Sequence, residues 1–171
     1  MAGYVHVYTG EGKGKTTAAM GLALRAAGAG WKVFIGQFAK GTAGSELVAL
    51  DRFADRITVR QFGSGRFVHG CPPADDLAAA RRGLAEACEA LTSGQYSLVI
   101  LDEANTGPAL RLFPLEDLLA LVDHKPPEVE LVLTGRWADP RVMARADLVT
   151  EMRAVKHYYR AGVTGRMGIE Q

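Results

Sequence analysis

The stretch YVHVYTGEGKGKTT, residues 4–17, decides the fold of this chain. Residues 4–8 alternate large and β-branched side chains, as a short strand does. Glycines then recur at positions 10, 12 and 14, and Lys15, Thr16 and Thr17 lead into a helical run rich in Ala and Leu. A glycine loop between a strand and a helix N-terminus attracts anions, because its backbone N–H groups and the helix dipole both favour negative charge. The stretch therefore predicts a phosphate-binding loop.

The spacing of the glycines leaves three interpretations of this loop open. The usual phosphate-loop pattern has a glycine five residues before its Gly-Lys pair, where this chain has Thr9. A plain glycine-rich turn, or the fingerprint of a dinucleotide-binding fold, would also place glycines between a strand and a helix. The Lys-Thr-Thr run that opens the helix favours nucleoside triphosphate binding, with Lys15 as a point charge and the Thr16 hydroxyl available to Mg²⁺.

Composition limits the class of protein. The chain has 171 residues, of which 48% are hydrophobic, so it is long enough for one domain with a proper core. Its net charge of +1 gives no bulk field that would attract nucleic acid or an anionic membrane. No basic segment followed by an apolar run opens the sequence, so we expect no signal peptide, and no stretch approaches the length of a membrane span. Cys71 and Cys88 lack metal-ligand spacing and are interpreted as reduced thiols, which favours a cytoplasmic protein.

Apolar runs alternate with helical patterns along the chain. Besides residues 4–8, the predicted strands are Lys32–Phe38, Ile57–Phe62, Ser97–Leu101, Glu130–Thr134 and Asp147–Met152. The predicted helices are Thr16–Ala27, Glu46–Phe53, Asp75–Thr92, a run opened by Pro114, and Pro140–Ala146. The periodicity of the third helix predicts a shared buried face of Leu77, Leu84, Cys88 and Leu91. The alternation predicts an α/β fold with a doubly wound, mostly parallel sheet and helices on both faces.

An acidic pair, Asp102-Glu103, follows the buried strand pattern SLVIL. Ligands bind at the carboxyl ends of the strands in such sheets, so the pair and the glycine loop are expected at the same edge. Asp102, Glu103 and Thr16 supply the oxygen ligands that Mg²⁺ prefers, with Glu103 favoured for direct ligation. Alternatively, either carboxylate caps the following turn or pairs with Lys15. Arg136 follows a strand–glycine break and is a candidate contact to phosphate or nucleoside.

Five runs of the chain together resemble one enzyme family. They are TGEGKGKTTAAMGLALRAAG, GQFAKG, LVILDE, LTGR and ADLVTEMRAVKHYYRAG. In this order, over nearly the full chain, they resemble the phosphate-loop type of corrinoid adenosyltransferase, the ATP:cob(I)alamin or cob(I)yrinic acid a,c-diamide adenosyltransferases. Alternating glycines in the loop are a trait of that family. The resemblance implies a P-loop NTPase-like (RecA-like) three-layer sandwich, with residues 1–171 as a single domain.

The resemblance also implies a reaction. A Co(I) corrinoid attacks the 5′ carbon of ATP, and inorganic triphosphate leaves. In the family, ATP lies along the loop in the direction opposite to that in ordinary ATPases. The protein then has to hold carbon and cobalt in line and stabilise a charged leaving group. The implied catalytic residues are Lys15, Glu103 and Phe67. The implied ATP contacts are Arg136 and the loop residues Gly10, Glu11, Gly12, Lys13, Gly14, Lys15, Thr16 and Thr17, and Mg²⁺ or Mn²⁺ would bind Thr16, Glu103 and Asp102.

The loop Gly63–Ala74 departs from the family pattern. Many members carry a Phe-x-Trp run there, which strips axial ligands from Co(II), whereas this chain reads RFVH and has no tryptophan in the loop. Phe67 is expected to act alone, and His69 is interpreted as a loop side chain. Some members cover the site with an N-terminal extension, but this chain begins just before its first strand. The tail 153–171, chiefly Lys156–Met167, is expected to provide the cover instead.

The resemblance implies partners as well. These are ATP, cobalamin or its a,c-diamide precursor, an electron-donating reductase and a second copy of the chain. Two other classes stay open: a small phosphate-loop kinase or ATPase, and a nucleotide-dependent binding module. The sequence offers no convincing acceptor-binding or water-positioning group for phosphoryl transfer. A GTP switch would carry an Asn-Lys-x-Asp run, which is absent.

Overall fold

The computed structural model describes residues 2–40, 44–65 and 70–170. Its strands in chain order are β1 (Val5–Thr9), β2 (Val33–Phe38), β3 (Ile57–Phe62), β4 (Leu98–Asp102), β5 (Glu130–Thr134) and β6 (Leu148–Glu151). They form one parallel sheet in the spatial order β3-β2-β4-β5-β1-β6. Each predicted strand is present, with ends that shift by no more than one residue.

Helices cover both faces of this sheet. They are α1 (Lys15–Gly28), α2 (Ser45–Leu50), α3 (Ala74–Thr92), α4 (Thr106–Ala109), α5 (Leu115–Asp123) and α6 (Pro140–Met143), with short 3-10 segments at Asp51–Phe53 and Tyr158–Ala161. The core is accordingly divided into two apolar clusters. One joins the alanines of α1 to β2 and β4, and the other joins α3 and α5 to the opposite face. The prediction of a doubly wound parallel sheet is therefore confirmed.

The central strands are buried along their whole length. All residues of β2 and β4 are buried, because helices pack on both sides of the sheet at these positions. The strand β4 continues one residue beyond the apolar run that predicted it, so Asp102 is the last residue of the strand. A carboxylate is thereby placed inside the sheet at its carboxyl edge.

The buried face of α3 agrees with the prediction only at Leu91, which is buried. Its buried residues are mainly small, whereas Cys88 is exposed and Leu77 and Leu84 are half-buried. The reason is steric, since an added Cβ at Gly83 would lie 2.6 Å from the Phe62 ring. Aromatic rings on the sheet fill the space beneath the helix, so α3 presents alanine and glycine to them rather than leucine.

Three loops meet at the carboxyl edge of the sheet. They follow β4, β5 and β1, which are neighbours in the sheet. The loop after β4 contains α4, which the sequence did not predict because four residues are too short for a helical period. In the part of the chain that the structure describes, no helix is both long and apolar enough to cross a bilayer.

Candidate functional site at the carboxyl edge of the sheet

The alternating glycines of the loop have a steric cause. Gly10 and Gly14 have φ angles of 95° and 118°, which disfavour any residue with a Cβ. An added Cβ would lie 2.5 Å from the carbonyl oxygen of Met152 at Gly10, and 2.6 Å from the same oxygen at Gly12. The Gly12 N–H donates a hydrogen bond to this carbonyl, over 2.6 Å. The segment that follows β6 therefore runs directly against the loop, and only glycine leaves room for it.

Lys15 lies folded into the loop. Its Nζ donates hydrogen bonds to the carbonyl oxygens of Gly10, at 2.6 Å, and Gly12, at 2.8 Å. Only 7% of the residue is exposed. Burial lowers the pKa of the Lys15 ammonium below its ordinary value, and the carboxylates of Glu103 and Glu11 offset only part of this effect. The ammonium is thus held where the loop would wrap an anion, with two backbone carbonyls of the loop as its hydrogen-bond partners.

Asp102 is the centre of a buried hydrogen-bond network. Its Oδ1 accepts from the hydroxyls of Thr16, at 2.8 Å, and Thr134, at 2.7 Å. Its Oδ2 accepts from Nε2 of Gln37, at 3.2 Å, and Nζ of Lys40, at 2.7 Å. The carboxylate is fully buried, and four donors satisfy both of its oxygens. The network ties the first turn of α1 to β2, β4 and β5.

The Lys40–Asp102 ion pair is asymmetric in its exposure. The Lys40 side chain is 31% exposed, whereas the Asp102 side chain is completely buried. Burial acts to lower the pKa of Lys40, but the charge and hydrogen bond of Asp102 outweigh it, so the pKa lies above its ordinary value. The ammonium therefore stays charged at the edge of the site.

Glu103 has an unusual backbone conformation. Its φ is 61°, and its N–H donates to the Thr134 hydroxyl oxygen at 3.1 Å. The Thr106 hydroxyl in turn donates to Oε2 of Glu103 at 2.6 Å. This strained turn at the end of β4 is fixed by hydrogen bonds from both sides, a pattern that is common at functional sites. Glu103 consequently sits beside the glycine loop with a defined orientation.

Arg136 connects the loop after β5 to the glycine loop. Its backbone N–H donates to the Thr106 hydroxyl oxygen at 3.1 Å, and its Nε lies 3.4 Å from Oε2 of Glu11. Both charged side chains are more than half exposed, so solvent screens this ion pair. Gly135 before it has φ 133°, and an added Cβ would lie 2.7 Å from the Thr106 hydroxyl oxygen. The glycine lets the two loops approach.

The structure brings most of the predicted site residues together. Thr16 contacts Asp102, and Arg136 contacts Glu11. Thr17 is exposed in the first turn of α1, and Lys13 is directed to the tail, where its Nζ donates to the Ile169 carbonyl at 2.7 Å. Phe67 and the neighbouring Arg66, Val68 and His69 lie outside the described residues.

Sequence reasoning missed four residues of the site. They are Gln37, Lys40, Thr106 and Thr134, all of them near the carboxyl ends of strands. Their position after apolar runs was the available signal. Which strands are neighbours in the sheet, and hence which of these side chains meet, could not be read from local sequence.

Comparison with known proteins gives consistent results. A sequence profile of the family described as ATP:corrinoid adenosyltransferase BtuR/CobO/CobP matches residues 1–171. The corrinoid adenosyltransferase of Escherichia coli (strain K12) is 36% identical over 170 residues, covering 98% of this chain and 85% of that protein. The corrinoid adenosyltransferase of Pseudomonas aeruginosa is 35% identical over 169 residues, covering 98% and 83%. The corrinoid adenosyltransferase CobA of Salmonella typhimurium is 35% identical, covering 98% and 85%.

A solved structure supports the fold independently. The crystal structure of the RadB recombinase superposes with a TM-score of 0.58, covering 91% of this chain and 77% of that chain at 15% identity. At this identity the likeness shows the fold alone, a P-loop NTPase-like, RecA-like α/β architecture, as predicted. With the whole-chain profile match and the three relatives above, it follows that the chain belongs to the ATP:corrinoid adenosyltransferase family BtuR/CobO/CobP.

Proposed function

We propose that this chain transfers the 5′-deoxyadenosyl group of ATP to the cobalt of a reduced corrinoid and releases triphosphate. Membership of the family supports adenosyl transfer from ATP to a corrinoid. The observation that carries the proposal is the glycine loop folded around Lys15, with Thr16 hydrogen-bonded to Asp102 across the edge of the sheet. This arrangement concentrates backbone N–H, ammonium and hydroxyl groups where a triphosphate would bind.

In the proposed step, the cobalt supplies the electron pair. Co(I) attacks the 5′ carbon and becomes Co(III) as the cobalt–carbon bond forms, and the carbon–oxygen bond breaks with its electron pair leaving on the triphosphate. Negative charge on the leaving group increases during this step, so fixed cations beside it stabilise the transition state. Candidate cations for this role are Lys15 in the loop, Lys40 after β2 and Arg136 after β5.

The residues present fit a magnesium or manganese ion bound together with phosphate. The described residues contain no cluster of three His, Cys, Asp or Glu that would hold a metal alone. Mg²⁺ commonly binds one or two protein oxygens plus phosphates and water, and it neutralises charge on the phosphate oxygens. We propose Thr16 and Glu103 as direct ligands. Asp102 has both oxygens occupied by hydrogen bonds, so its proposed role is to orient the Thr16 hydroxyl, which keeps lone pairs free after donating its proton.

Replacing Glu103 tests the metal assignment. Glu103→Gln keeps the shape and the Thr106 hydrogen bond but removes the charge, so we expect the Mg²⁺ concentration for half-maximal activity to rise. The stabilisation of the fold by ATP, followed by thermal unfolding, is expected to need more Mg²⁺ as well. Glu116→Gln, which alters an exposed carboxylate of α5, is the matched control. Unaltered Mg²⁺ titrations in both measurements would place the metal elsewhere.

The corrinoid is expected to bind on the side of the site formed by the loop that contains Phe67 and by the tail. We propose that Phe67 contacts the corrinoid and that the tail covers the site. The Lys13–Ile169 hydrogen bond supports the second point, because it brings the end of the tail back to the glycine loop. Within the tail, Glu170 accepts hydrogen bonds from Tyr158 and Arg166.

The proposed partners follow from the family. We propose a homodimer, an electron-donating reductase, and either cobalamin or cob(I)yrinic acid a,c-diamide as the corrinoid. The exposed apolar residues Leu148 and Val149 on the edge strand β6 are compatible with a protein contact. We also propose a cytoplasmic location, and the free, exposed thiols of Cys71 and Cys88 are compatible with a reducing compartment.

An anaerobic product assay tests the reaction. The protein is incubated with ATP, Mg²⁺ and chemically reduced cobalamin, and the nucleotide and cobalt products are separated. We expect adenosylcobalamin and triphosphate in equal amounts. ADP and phosphate without a cobalt–carbon product would mean a phosphoryl-transfer enzyme, and nucleotide binding with no turnover would mean a binding module. Either result would contradict the proposal.

A further inference from the structure

Trp137 has a backbone conformation that a large side chain rarely adopts. Its φ is 57°, in the left-handed region that favours glycine, and 54% of the residue is exposed. Two unfavourable features thus coincide at one residue, a strained backbone and an exposed aromatic ring. Strained residues at the edge of a binding site are retained when the strain positions a group for function.

Hydrogen bonds on both sides fix this conformation. The Gly135 N–H donates to the Tyr8 carbonyl at 3.1 Å, and the Ala138 N–H donates to the Thr9 hydroxyl oxygen at 3.3 Å. Between them, the Arg136 N–H is bound to Thr106. Hydrogen bonds of the residues on both sides therefore fix the backbone position from which the indole extends.

That point lies beside the glycine loop. Thr9, which binds the residue after Trp137, directly precedes Gly10, and Arg136, the residue before Trp137, pairs with Glu11. Consecutive Cα atoms are about 3.8 Å apart, so Trp137 is one residue away from two contacts, one with the last residue of β1 and one with the glycine loop. If the loop holds the phosphates of a nucleotide, the base of that nucleotide has to lie within one nucleotide's length of the loop, and Trp137 is an exposed aromatic residue next to it.

We propose that Trp137 stacks on the purine base of the nucleotide held by the glycine loop. The proposal rests on the proposed function, since it takes ATP as the occupant of the loop. The indole offers a broad flat face, and none of the ring contacts found among residues 2–40, 44–65 and 70–170 involves it. Stacking on a base would bury the exposed ring and compensate for the strained backbone.

Fluorescence in a single-tryptophan protein tests the contact directly. The chain has two tryptophans, and Trp31→Phe leaves Trp137 as the sole reporter. We expect ATP with Mg²⁺ to change the Trp137 emission, and inorganic triphosphate, which has no base, to bind without this change. Equal responses to the two ligands would overturn the proposal, because the signal would then come from the phosphates.

Substitutions of Trp137 separate the effect of its aromatic ring from the effect of its strained backbone. Trp137→Gly removes both, so we expect ATP binding about tenfold weaker, triphosphate binding unchanged and thermal stability equal or higher. Trp137→Phe keeps a stacking ring and is expected to stay within about threefold of the wild type. Tyr4→Gly is the matched control, because Tyr4 is an aromatic residue of similar exposure, 53%. It precedes β1 at the amino edge of the sheet, away from the glycine loop, so we expect unchanged ATP binding.

The outcomes distinguish this proposal from the proposed function. Equal ATP affinity in the wild type and Trp137→Gly would overturn only the stacking contact. A raised KM for the corrinoid with unchanged ATP binding would overturn it too, because the ring would then contact the corrinoid. If the wild type bound no ATP, both proposals would fail together.

Discussion

Lys15 is a buried ammonium whose present partners are two carbonyl groups of its own loop. We expect Lys15→Met to abolish adenosylation while stability at neutral pH is unchanged or slightly higher, because the substitution removes a charge that the fold desolvates. Activity and urea unfolding measure the two effects. Lys32→Met, at an exposed position before β2, is the control. A variant that retains activity would contradict the role of the loop.

The lowered pKa of Lys15 also predicts a pH dependence. Below the lowered pKa the folded state carries the desolvated charge at a penalty, and this penalty disappears as the pH rises through that pKa toward the ordinary value of 10.5. The stability of the wild type is therefore expected to increase relative to Lys15→Met over this alkaline range. Parallel stability curves for the two proteins would mean that Lys15 is not desolvated in the fold.

Asp102 accepts four hydrogen bonds in the site, so its replacement is expected to disturb several elements at once. Asp102→Asn places an amide N–H₂ group among donors and leaves Lys40 without its counter-charge, so we expect a loss of about 2 kcal/mol in unfolding free energy. Adding Lys40→Met to this variant removes the unpaired ammonium and is expected to restore at least half of the loss, but not activity. Urea unfolding of the four proteins of this cycle measures the coupling. Additive effects would show that the ion pair is energetically unimportant.

At the scale of elements, the contact between the glycine loop and the segment after β6 is the most constrained. An added Cβ at Gly12 would lie 2.6 Å from the Met152 carbonyl oxygen, so we expect Gly12→Ala to lower stability by about 1–3 kcal/mol and to weaken ATP binding. Gly21→Ala, in α1, meets nothing within 4 Å and is expected to raise stability by about 0.5–1 kcal/mol. Similar unfolding midpoints for the two variants would contradict the predicted clash.

The tail is held to itself by an exposed charged cluster. The Arg166 guanidinium, and next to it the Tyr158 hydroxyl, hold the pKa of the Glu170 carboxyl at about 2, below its ordinary 4.5. The contribution of this carboxylate to tail structure is therefore complete above pH 4.5 and is lost as the pH falls toward 2. NMR titration of the Glu170 side chain measures this pKa. Arg166→Gln is expected to raise it, whereas the control Arg160→Gln is expected to leave it unchanged.

The helices show where sequence periodicity was sufficient and where it was not. In α5, the i, i+3, i+4, i+7 spacing of Leu115, Leu118, Leu119 and Val122 predicts one apolar face. The last three are buried and Leu115 is half-buried, so periodicity was sufficient there. In α3 the same reasoning was right for Leu91 and wrong for Cys88, because it ranked residues by hydrophobicity alone. The rings of Phe38 and Phe62 leave room only for small side chains near Gly83. Where a helix has space beneath it, as in α5, its most hydrophobic residues form the buried face. Where a helix lies close to aromatic rings, as α3 does, small residues form the buried face instead.

At the scale of the whole molecule, the strands, the glycine loop and the position of the acidic pair could be predicted from local patterns. Apolar runs identified each strand because a doubly covered parallel sheet excludes polar residues from its interior. The network around Asp102 could not be predicted, since it depends on β2, β4 and β5 being neighbours. The strained Trp137 also gave no local signal, because tertiary hydrogen bonds impose its φ angle.

The place of β1 in the sheet has a consequence for synthesis on the ribosome. This strand is made first, yet it pairs with β5 and β6, which are made after most of the described chain. The buried side chains Val5 and Val7 therefore have no strand beside them until residue 134 has emerged, and the glycine loop lacks its Met152 neighbour for longer still. During synthesis, the glycine loop therefore cannot reach its final conformation, and β1 can pair with incorrect strands, until β5 and the segment after β6 have been made.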